Sequence, residues 1–296
     1  MLRRPLIAAL AAALAATLAA TPDVIAPASA QSPGLQGAEG SKMREQEWRI
    51  PAAGGSPLMV ATVFRPPGNA RAPLAVINHG SPDKSAARPT MSRPQFTALS
   101  TYFVSRGYVV VLPLRRGYGA TGGRWAEDYG RCDTPDFTGA GLATATDIQA
   151  TIDYMRGQPF VAPDRTIVVG QSAGGWGTLA LSSRNPAGVP AMIDFAGGRA
   201  GHQAVPGGVC APDFLVRAAA KYGSTARVPL LWVTTENDSF FNPALVRRMV
   251  EAYRDAGGNV THKALEPFGK DGHSLAGTDS GARIWTPLVT EFLQGR

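Results

Sequence analysis

The stretch Thr166-Ile-Val-Val-Gly-Gln-Ser-Ala-Gly-Gly-Trp-Gly177 decides the fold. Its β-branched run, 167–169, is typical of a buried strand, and the apolar segment after the serine favours a helix. Between them, Gly170-Gln-Ser-Ala-Gly174 fits the pattern G-x-S-x-G, which places a serine at the tip of a sharp strand-to-helix turn. A Cβ two residues before or after that serine would clash in so tight a turn, so glycine is required at both places. The pattern also occurs in ordinary Gly/Ser turns, so its interpretation depends on the rest of the chain.

Strand-like and helix-like segments alternate along most of the sequence. Besides the strand before the serine, the apolar pattern predicts strands over 47–51, 58–64, 73–78, 108–114, 191–196, 229–234 and 261–266. It predicts helices over 94–106, 138–155, 213–221, 243–255 and 281–293, and one from the serine through residue 181. This alternation predicts an α/β fold, with a mostly parallel central sheet and helices on both faces. Residues 197–228 are less regular and are expected to form a small cap at most.

The N-terminal residues resemble a targeting segment. Arg3 and Arg4 precede the apolar run Pro5–Ala20, and Ala28-Ser-Ala30 fits a cleavage site, so residues 1–30 are interpreted as a secretory signal peptide. A membrane anchor is the alternative, but the run is short and rich in alanine. Residues 31–45 are expected to be a flexible leader, and residues 46–296 a single domain. These features predict an exported protein, periplasmic or secreted, without stable membrane insertion.

The chain contains two cysteines, Cys132 and Cys210. An even count in an oxidising compartment favours a disulfide, which would stabilise the fold by roughly 4 kcal/mol on the chain-entropy model. Two free buried thiols are the alternative. Two sulfurs without a nearby histidine cluster argue against a metal site.

The net charge of +7 is scattered along the chain. The densest basic pairs are only Arg115-Arg116 and Arg247-Arg248, so the basic residues do not form the continuous stripe that binds nucleic acid. We therefore expect no nucleic-acid partner.

A serine at such a turn becomes reactive only beside a base, and the base needs an acid to orient it. His273 lies in a glycine-flanked loop after the last predicted strand, and Asp238 lies just after the strand over 229–234. The order Ser172, Asp238, His273, with each residue after a strand, is the order expected for this strand–turn–helix motif.

Other acids are available in this part of the sequence. Glu236 is two residues from Asp238, and Asp194 lies near the end of the preceding predicted strand. Asp271 is too close in sequence to His273 to be the usual orienting acid. Asp238 could also simply form an Asx turn. Asp238 is the acid that the sequence favours.

Acyl transfer also needs two N–H donors for the developing oxyanion. One is expected to be the backbone N–H of Ala173, at the N-terminus of the helix after the serine. The other is expected from the loop after the strand over 73–78, where His79-Gly80 allows close approach and Ser81 supplies the N–H. His79 is interpreted as a packing and hydrogen-bonding residue beneath that loop.

With these residues the chain resembles the α/β-hydrolases of the dienelactone-hydrolase/prolyl-oligopeptidase-like group, over about residues 55–295. The matching motifs are His79-Gly80-Ser81, Arg116-Gly-Tyr-Gly119, Gly170-Gln-Ser-Ala-Gly174, Asp238 and Gly272-His273. The resemblance implies a serine hydrolase that needs no cofactor or metal and acts on a small-molecule ester or amide. Carboxylic esters are the first expectation. The alternatives are a small peptidase or amidase with the same triad and, less favoured, a binding protein without turnover.

The chain departs from that group in places. Dienelactone hydrolases use a cysteine nucleophile where this chain has Ser172. The β-propeller usual in prolyl-oligopeptidase-like peptidases and the lid of lipases have no counterpart here, unless residues 197–228 form a small cap. A Cys132–Cys210 disulfide would fix one wall of the substrate cleft. The candidate substrate-binding residues, which could equally be plain core, are Trp125, Tyr129, Trp176 and Phe240.

Overall fold

The computed structural model describes residues 32–202 and 208–296, and the predicted signal peptide lies outside these residues. The strands are β1 (Gly34–Gln36), β2 (Gln46–Pro51), β3 (Leu58–Phe64), β4 (Ala72–Asn78), β5 (Val109–Pro113), β6 (Val161–Gln171), β7 (Ala191–Phe195), β8 (Gly201–His202), β9 (Gly208–Val209), β10 (Leu230–Thr235) and β11 (Val260–Leu265). The α-helices are α1 (Thr97–Ser105), α2 (Phe137–Arg156), α3 (Ala173–Ser182), α4 (Pro212–Gly223), α5 (Pro243–Asp255) and α6 (Asp279–Leu293).

Nine strands form one sheet in the order β1-β2-β3-β5-β4-β6-β7-β10-β11. Every pair from β5 to β11 is parallel, and β1, β2 and β3 join antiparallel at one edge. The central strands are apolar on both faces because helices cover both. Side chains of α2, α3, α4 and α5 pack in the core on one face, and those of α1 and α6 pack on the other. The predicted α/β-hydrolase fold, with a mostly parallel sheet, is confirmed.

Two segments differ from the sequence expectation. Residues 31–45 were expected to be a flexible leader, but Gly34–Gln36 pairs with β2 and extends the sheet by one strand. Arg44 also donates hydrogen bonds to the carbonyls of Pro66 and Gly68. An edge strand this short has too little apolar patterning to be recognised from sequence.

The irregular region after β7 contains the β8–β9 hairpin and α4. Helix α4 packs with α2 and α5, and its side chains Leu215, Ala218 and Tyr222 belong to the buried core. The α4 part of the region expected to be a cap therefore belongs to the helical layer. A disulfide joins Cys132 to Cys210, with 5.4 Å between the Cα atoms, and so ties the β5–α2 loop to the start of α4. Among the described residues no helix has the length and apolarity needed to cross a bilayer.

Candidate active site

Ser172 lies between β6 and α3, where the chain turns sharply. Its backbone has φ 55° and ψ −120°, a conformation that costs on the order of 1–3 kcal/mol for a residue other than glycine. A Cβ on Gly170 would collide with the carbonyl of Gly174, and one on Gly174 would collide with the carbonyl of Asn78. The two glycines let β6, α3 and the end of β4 meet at one point.

His273 and Asp238 form a hydrogen-bonded pair. The imidazole Nδ1 lies 3.1 Å from Asp238 Oδ1 and 3.0 Å from Oδ2, and both side chains are largely buried. Asp238 Oδ1 also accepts the N–H groups of Phe240 (2.8 Å) and Phe241 (3.1 Å), which fix the carboxylate. With Nδ1–H donating to the carboxylate, Nε2 is left to accept a proton. Ser172 and His273 line the same cavity.

The rival acids lie elsewhere. Glu236 is exposed to solvent. Asp194 is fully buried, and its carboxyl group occupies the space beside Gly175 and Gly197. Burial raises the pKa of Asp194 well above its usual range, which favours the neutral acid. Among the described residues no hydrogen bond joins Asp194 to His273.

Asp271 has a role that the sequence did not indicate. Its Oδ1 accepts the N–H of His273 (3.0 Å) and the N–H of Ser239 (3.1 Å), and its Oδ2 accepts the Ser239 hydroxyl (2.6 Å). Asn237 adds a second connection, since its side chain accepts the N–H of Phe268 at 2.8 Å. These bonds hold the loop of Asp238 against the loop of His273. The only signal in the sequence was that these polar residues follow adjacent strands.

Gly80 brings the loop after β4 against the turn at Ser172. A Cβ on Gly80 would lie 2.5 Å from Gln171 Oε1 and 3.0 Å from the Ser172 Cβ. The next residue is Ser81, which lines the cavities together with Ser172 and Ala173. Within residues 32–202 and 208–296, no acceptor is bonded to the backbone N–H of Ser81 or Ala173.

A buried network supports this loop from below. Arg115 donates from its guanidinium to the His79 carbonyl (2.8 Å) and from its backbone N–H to His79 Nε2 (3.2 Å). His79 Nδ1–H is thereby directed to the Gly80 carbonyl, 2.7 Å away. Burial and the neighbouring Arg115 charge lower the pKa of His79 to about 3, so its ring is neutral near pH 7. His79 packs and hydrogen-bonds beneath the loop.

Glu127 anchors the same network. Its carboxylate accepts from Arg115 Nε (2.5 Å) and from the Tyr118 hydroxyl (2.8 Å), and it also bonds Arg199. Burial opposes the charge of Glu127, but the two arginines outweigh burial and keep its pKa below the usual range. Neither Glu127 nor Arg199 was recognised from the sequence, because nothing local marks a pair 72 positions apart.

Two cavities meet at Ser172 and share Ser81, Pro82 and Phe240. The first, here called the His273 cavity, has a volume of about 310 Å³, and its other lining residues are His79, Gly80, Met91, Phe96, Gln171 and His273. The second, here called the Arg199 cavity, has a volume of about 70 Å³, and its other lining residues are Asp83, Arg88, Trp125, Tyr129, Ala173, Gly198, Arg199, Ala200 and Gly201.

Three of the four predicted substrate-binding residues line a cavity. Trp125, Tyr129 and Phe240 line the Arg199 cavity, and the Phe240 ring stacks on His273 with 4.2 Å between centroids. The prediction for Trp176 is wrong. Its ring is fully buried between α2 and α4, and its Nε1–H donates to the Phe137 carbonyl at 2.9 Å. The first turn of α3 directs this side chain away from the cavities.

Part of the chain is similar in sequence to known proteins. The model of the prolyl oligopeptidase family (Peptidase_S9) matches residues 94–188. Dipeptidyl-peptidase 5 of Porphyromonas gingivalis is 27% identical over 160 residues, which are 52% of this chain and 21% of that protein. The chain thus spans about a fifth of the curated relative that it matches.

Several solved structures share the fold. A Klebsiella pneumoniae protein provisionally assigned as a dienelactone hydrolase superimposes with a TM-score of 0.56 at 17% identity, over 84% of this chain and 98% of that one. An esterase of Pyrococcus furiosus superimposes with a TM-score of 0.61 at 15% identity, over 85% of this chain and 92% of that one. The acylaminoacyl peptidase of Pyrococcus horikoshii superimposes with a TM-score of 0.60 at 17% identity, over 88% of this chain and 42% of that one. The resemblance to the α/β-hydrolase group of serine hydrolases is confirmed.

Proposed function

We propose that this protein cleaves carboxylic esters through an acyl-serine intermediate. The observation that carries the proposal is that His273, hydrogen-bonded to Asp238, lines the same cavity as Ser172. Similarity to known serine hydrolases supports the same class of chemistry. Ser172 is proposed as the nucleophile, His273 as the base and Asp238 as the acid that orients it.

The proposed reaction has two halves. The Ser172 hydroxyl attacks the ester carbonyl carbon while its proton passes to His273 Nε2, and the N–H groups of Ser81 and Ala173 stabilise the oxyanion. The tetrahedral intermediate then collapses, His273 returns the proton to the departing alkoxide, and acyl-Ser172 remains. Water attacks that acyl group with His273 again as base, which releases the carboxylic acid. Asp238 stabilises the imidazolium in both halves.

The position of His273 distinguishes the two sides of a bound ester. Because His273 must protonate the departing oxygen, the alcohol half belongs in the His273 cavity. The acyl half belongs in the Arg199 cavity, which contains Ala173 but not His273. Attack on an ester bound in this way leaves the acyl group beside Arg199.

Cleavage of amides is the second candidate, favoured by the match to the prolyl oligopeptidase family model and to dipeptidyl-peptidase 5. The same residues would serve, since acyl transfer to serine is common to both reactions. Comparing para-nitrophenyl acetate and butyrate with aminoacyl-anilides separates the candidates. Faster turnover of the anilides than of the esters would favour the peptidase hypothesis.

The triad is tested by Ser172→Ala with Ser224→Ala as the matched control, because Ser224 is an exposed serine at the end of α4. We expect Ser172→Ala to lower kcat by about 10⁴-fold or more and to abolish labelling by a fluorophosphonate probe. Ser224→Ala should retain the wild-type kcat and the labelling by the probe. Equal labelling of wild type and Ser172→Ala, or labelling of neither, would overturn the assignment. Absence of turnover would leave the non-catalytic binding protein as the better reading.

We also propose that the protein is exported. The Cys132–Cys210 disulfide supports this, because disulfides persist in oxidising compartments and are rare in reducing ones. Thiol titration of the unfolded, unreduced protein should detect no free thiol. Two free thiols would contradict the disulfide, and cell fractionation tests the location itself.

A further inference from the structure

The Arg199 guanidinium is buried with part of its hydrogen-bonding capacity unused. Arg199 is only 3% exposed, and its Nη2 bonds Glu127 and the Thr144 hydroxyl, the latter at 3.0 Å. Its Nε is also buried, and among the described residues it has no hydrogen-bond partner. A buried donor without a partner is unfavourable, and more so when the group is charged. Arg199 lines the smaller cavity beside Ser172.

The buried network around Arg199 carries an excess positive charge. Arg115 and Arg199 share the single carboxylate of Glu127. Burial raises the pKa of Tyr118, so its phenol is uncharged near neutral pH and does not compensate the second guanidinium. His79, with a pKa of about 3, is also neutral there and adds no charge. An uncompensated charge away from water is unfavourable unless an opposite charge approaches it.

A second arginine, Arg88, lines this cavity and is half-buried. The Arg88 guanidinium lies 3.7 Å from the centroid of the Trp125 ring, and Arg199 approaches the same ring at 6.0 Å. Asp83, which is exposed, is the acidic residue among the described lining residues. Together with the Arg115–Glu127 pair, the described side chains in and under the cavity carry one net positive charge.

We propose that the Arg199 cavity binds a carboxylate carried by a short acyl group, so that the preferred substrates are monoesters of short dicarboxylic acids. This inference rests on the proposed function. The carboxylate would accept the Nε–H of Arg199, and its second oxygen would face Arg88. The small volume limits the acyl chain to a few methylene groups, whereas the larger His273 cavity receives the alcohol.

The test uses two acyl groups of equal chain length on one leaving group: the para-nitrophenyl monoester of glutaric acid and para-nitrophenyl valerate. Ser172→Ala protein serves as the blank for spontaneous hydrolysis. One charge-assisted hydrogen bond predicts about tenfold higher kcat/KM for the glutarate monoester. Equal values, or a preference for valerate, would overturn the proposal.

Variants locate the preference. Arg199→Lys keeps a positive charge but removes the Nε–H donor, and should lower the glutarate-to-valerate ratio about fivefold. Arg88→Gln should lower the ratio about threefold, since the charge of a half-buried residue is partly screened by solvent. Arg217→Gln is the control, because Arg217 is an exposed arginine on α4 stacked on Phe214, and it should leave the ratio unchanged.

A thermal melt shows whether Arg199→Lys folds. If it does not fold, the proposal is tested by the glutarate-to-valerate ratio of the wild type and by the change of that ratio in Arg88→Gln. An unchanged ratio in both folded variants would refute the role of the arginines. Suppose that the wild type hydrolyses the valerate and the glutarate monoester equally well, and that Ser172→Ala hydrolyses neither. That result would overturn only the carboxylate proposal. Failure of every ester, with no fluorophosphonate labelling of Ser172, would instead overturn the proposed function.

Discussion

The two cavities that meet at Ser172 are built from different kinds of residue. The His273 cavity combines the apolar side chains Met91, Phe96 and Phe240 with two histidines, His79 and His273. The Arg199 cavity is small and carries two guanidinium groups, one of them buried over a shared carboxylate. Only the serine, the loop at Ser81 and the Phe240 ring belong to both.

This difference separates proton transfer from recognition of the substrate. A residue on the His273 side that serves the proton should affect every acyl group alike, because each turnover passes through the same imidazole. A residue on the Arg199 side should instead change the ratio between acyl groups, because it contacts only one half of the substrate. Substitutions on the two sides test whether these roles are independent.

The largest effect is expected from Asp238→Asn. An asparagine retains the shape but loses the charge that stabilises the imidazolium, and it favours the wrong tautomer of His273. We expect kcat to fall by about 10³- to 10⁴-fold, by the same factor for the glutarate monoester and for the valerate. Stopped assays with both esters measure this directly.

Asp271→Asn is the matched control on the same pair of loops. Asp271 bonds the backbone N–H of His273 and the hydroxyl of Ser239, whereas the imidazole Nδ1 of His273 bonds Asp238. Its loss should loosen the loops and lower kcat by about tenfold, far less than loss of the orienting acid. An equal loss from both variants would move the acid to Asp271. A loss confined to one acyl group would contradict the separation of the two sides.

His79 lies beneath the loop that both cavities share, and it should make stability depend on pH. Its pKa is depressed to about 3 when folded, against about 6.5 when unfolded, so the unfolded chain binds the extra proton between these values. The contribution of His79 to the free energy of unfolding is therefore lost progressively as the pH falls from about 6.5 towards 3. By pH 5 the loss from this residue should reach about 2 kcal/mol relative to neutral pH.

His79→Gln isolates this contribution, since glutamine does not titrate and other groups shift both proteins alike. Denaturant unfolding at neutral pH and at about pH 5 should show that the wild type loses about 2 kcal/mol more than the variant. Parallel losses would mean that His79 is not buried neutral in the folded protein.

The fold and the central residues of the site could be predicted because their signals are local. The β-branched run before Gly170 and the Asp and His loops after predicted strands each follow from a few consecutive residues. Parallel strands then bring Ser172, Asp238 and His273 to one edge of the sheet, so their meeting follows from the topology. The pairing of Cys132 with Cys210 required only the count of cysteines.

The remaining parts depend on side-chain direction and long-range contacts. Trp176 follows Ser172 by four residues, yet the turn of α3 rotates it into the core, and sequence proximity could not show this. Arg199 contacts Glu127 because two separate loops pack over α2. The hydrophobic periodicity of the sequence does not predict such a contact between loops. Charged residues that interact only in the folded chain are the least accessible to sequence reasoning, and here they form the Arg199 cavity.

The smallest effect is expected from Met91→Ala, which enlarges the His273 cavity. Removing part of one half-buried side chain should favour a bulkier alcohol, raising kcat/KM for 1-naphthyl valerate about threefold relative to para-nitrophenyl valerate. The ratio between glutarate and valerate should stay as in the wild type. Leu35→Ala is the control, because Leu35 is an exposed apolar residue on the edge strand β1.

Two outcomes of this experiment would change the assignment of the cavities. If Met91→Ala alters the glutarate-to-valerate ratio and leaves the alcohol preference unchanged, the acyl group binds on the His273 side. The leaving oxygen would then have to reach His273 from the Arg199 side, past Phe240, whose ring stacks on the imidazole. If Leu35→Ala matches Met91→Ala, the change acts through general stability and says nothing about either cavity.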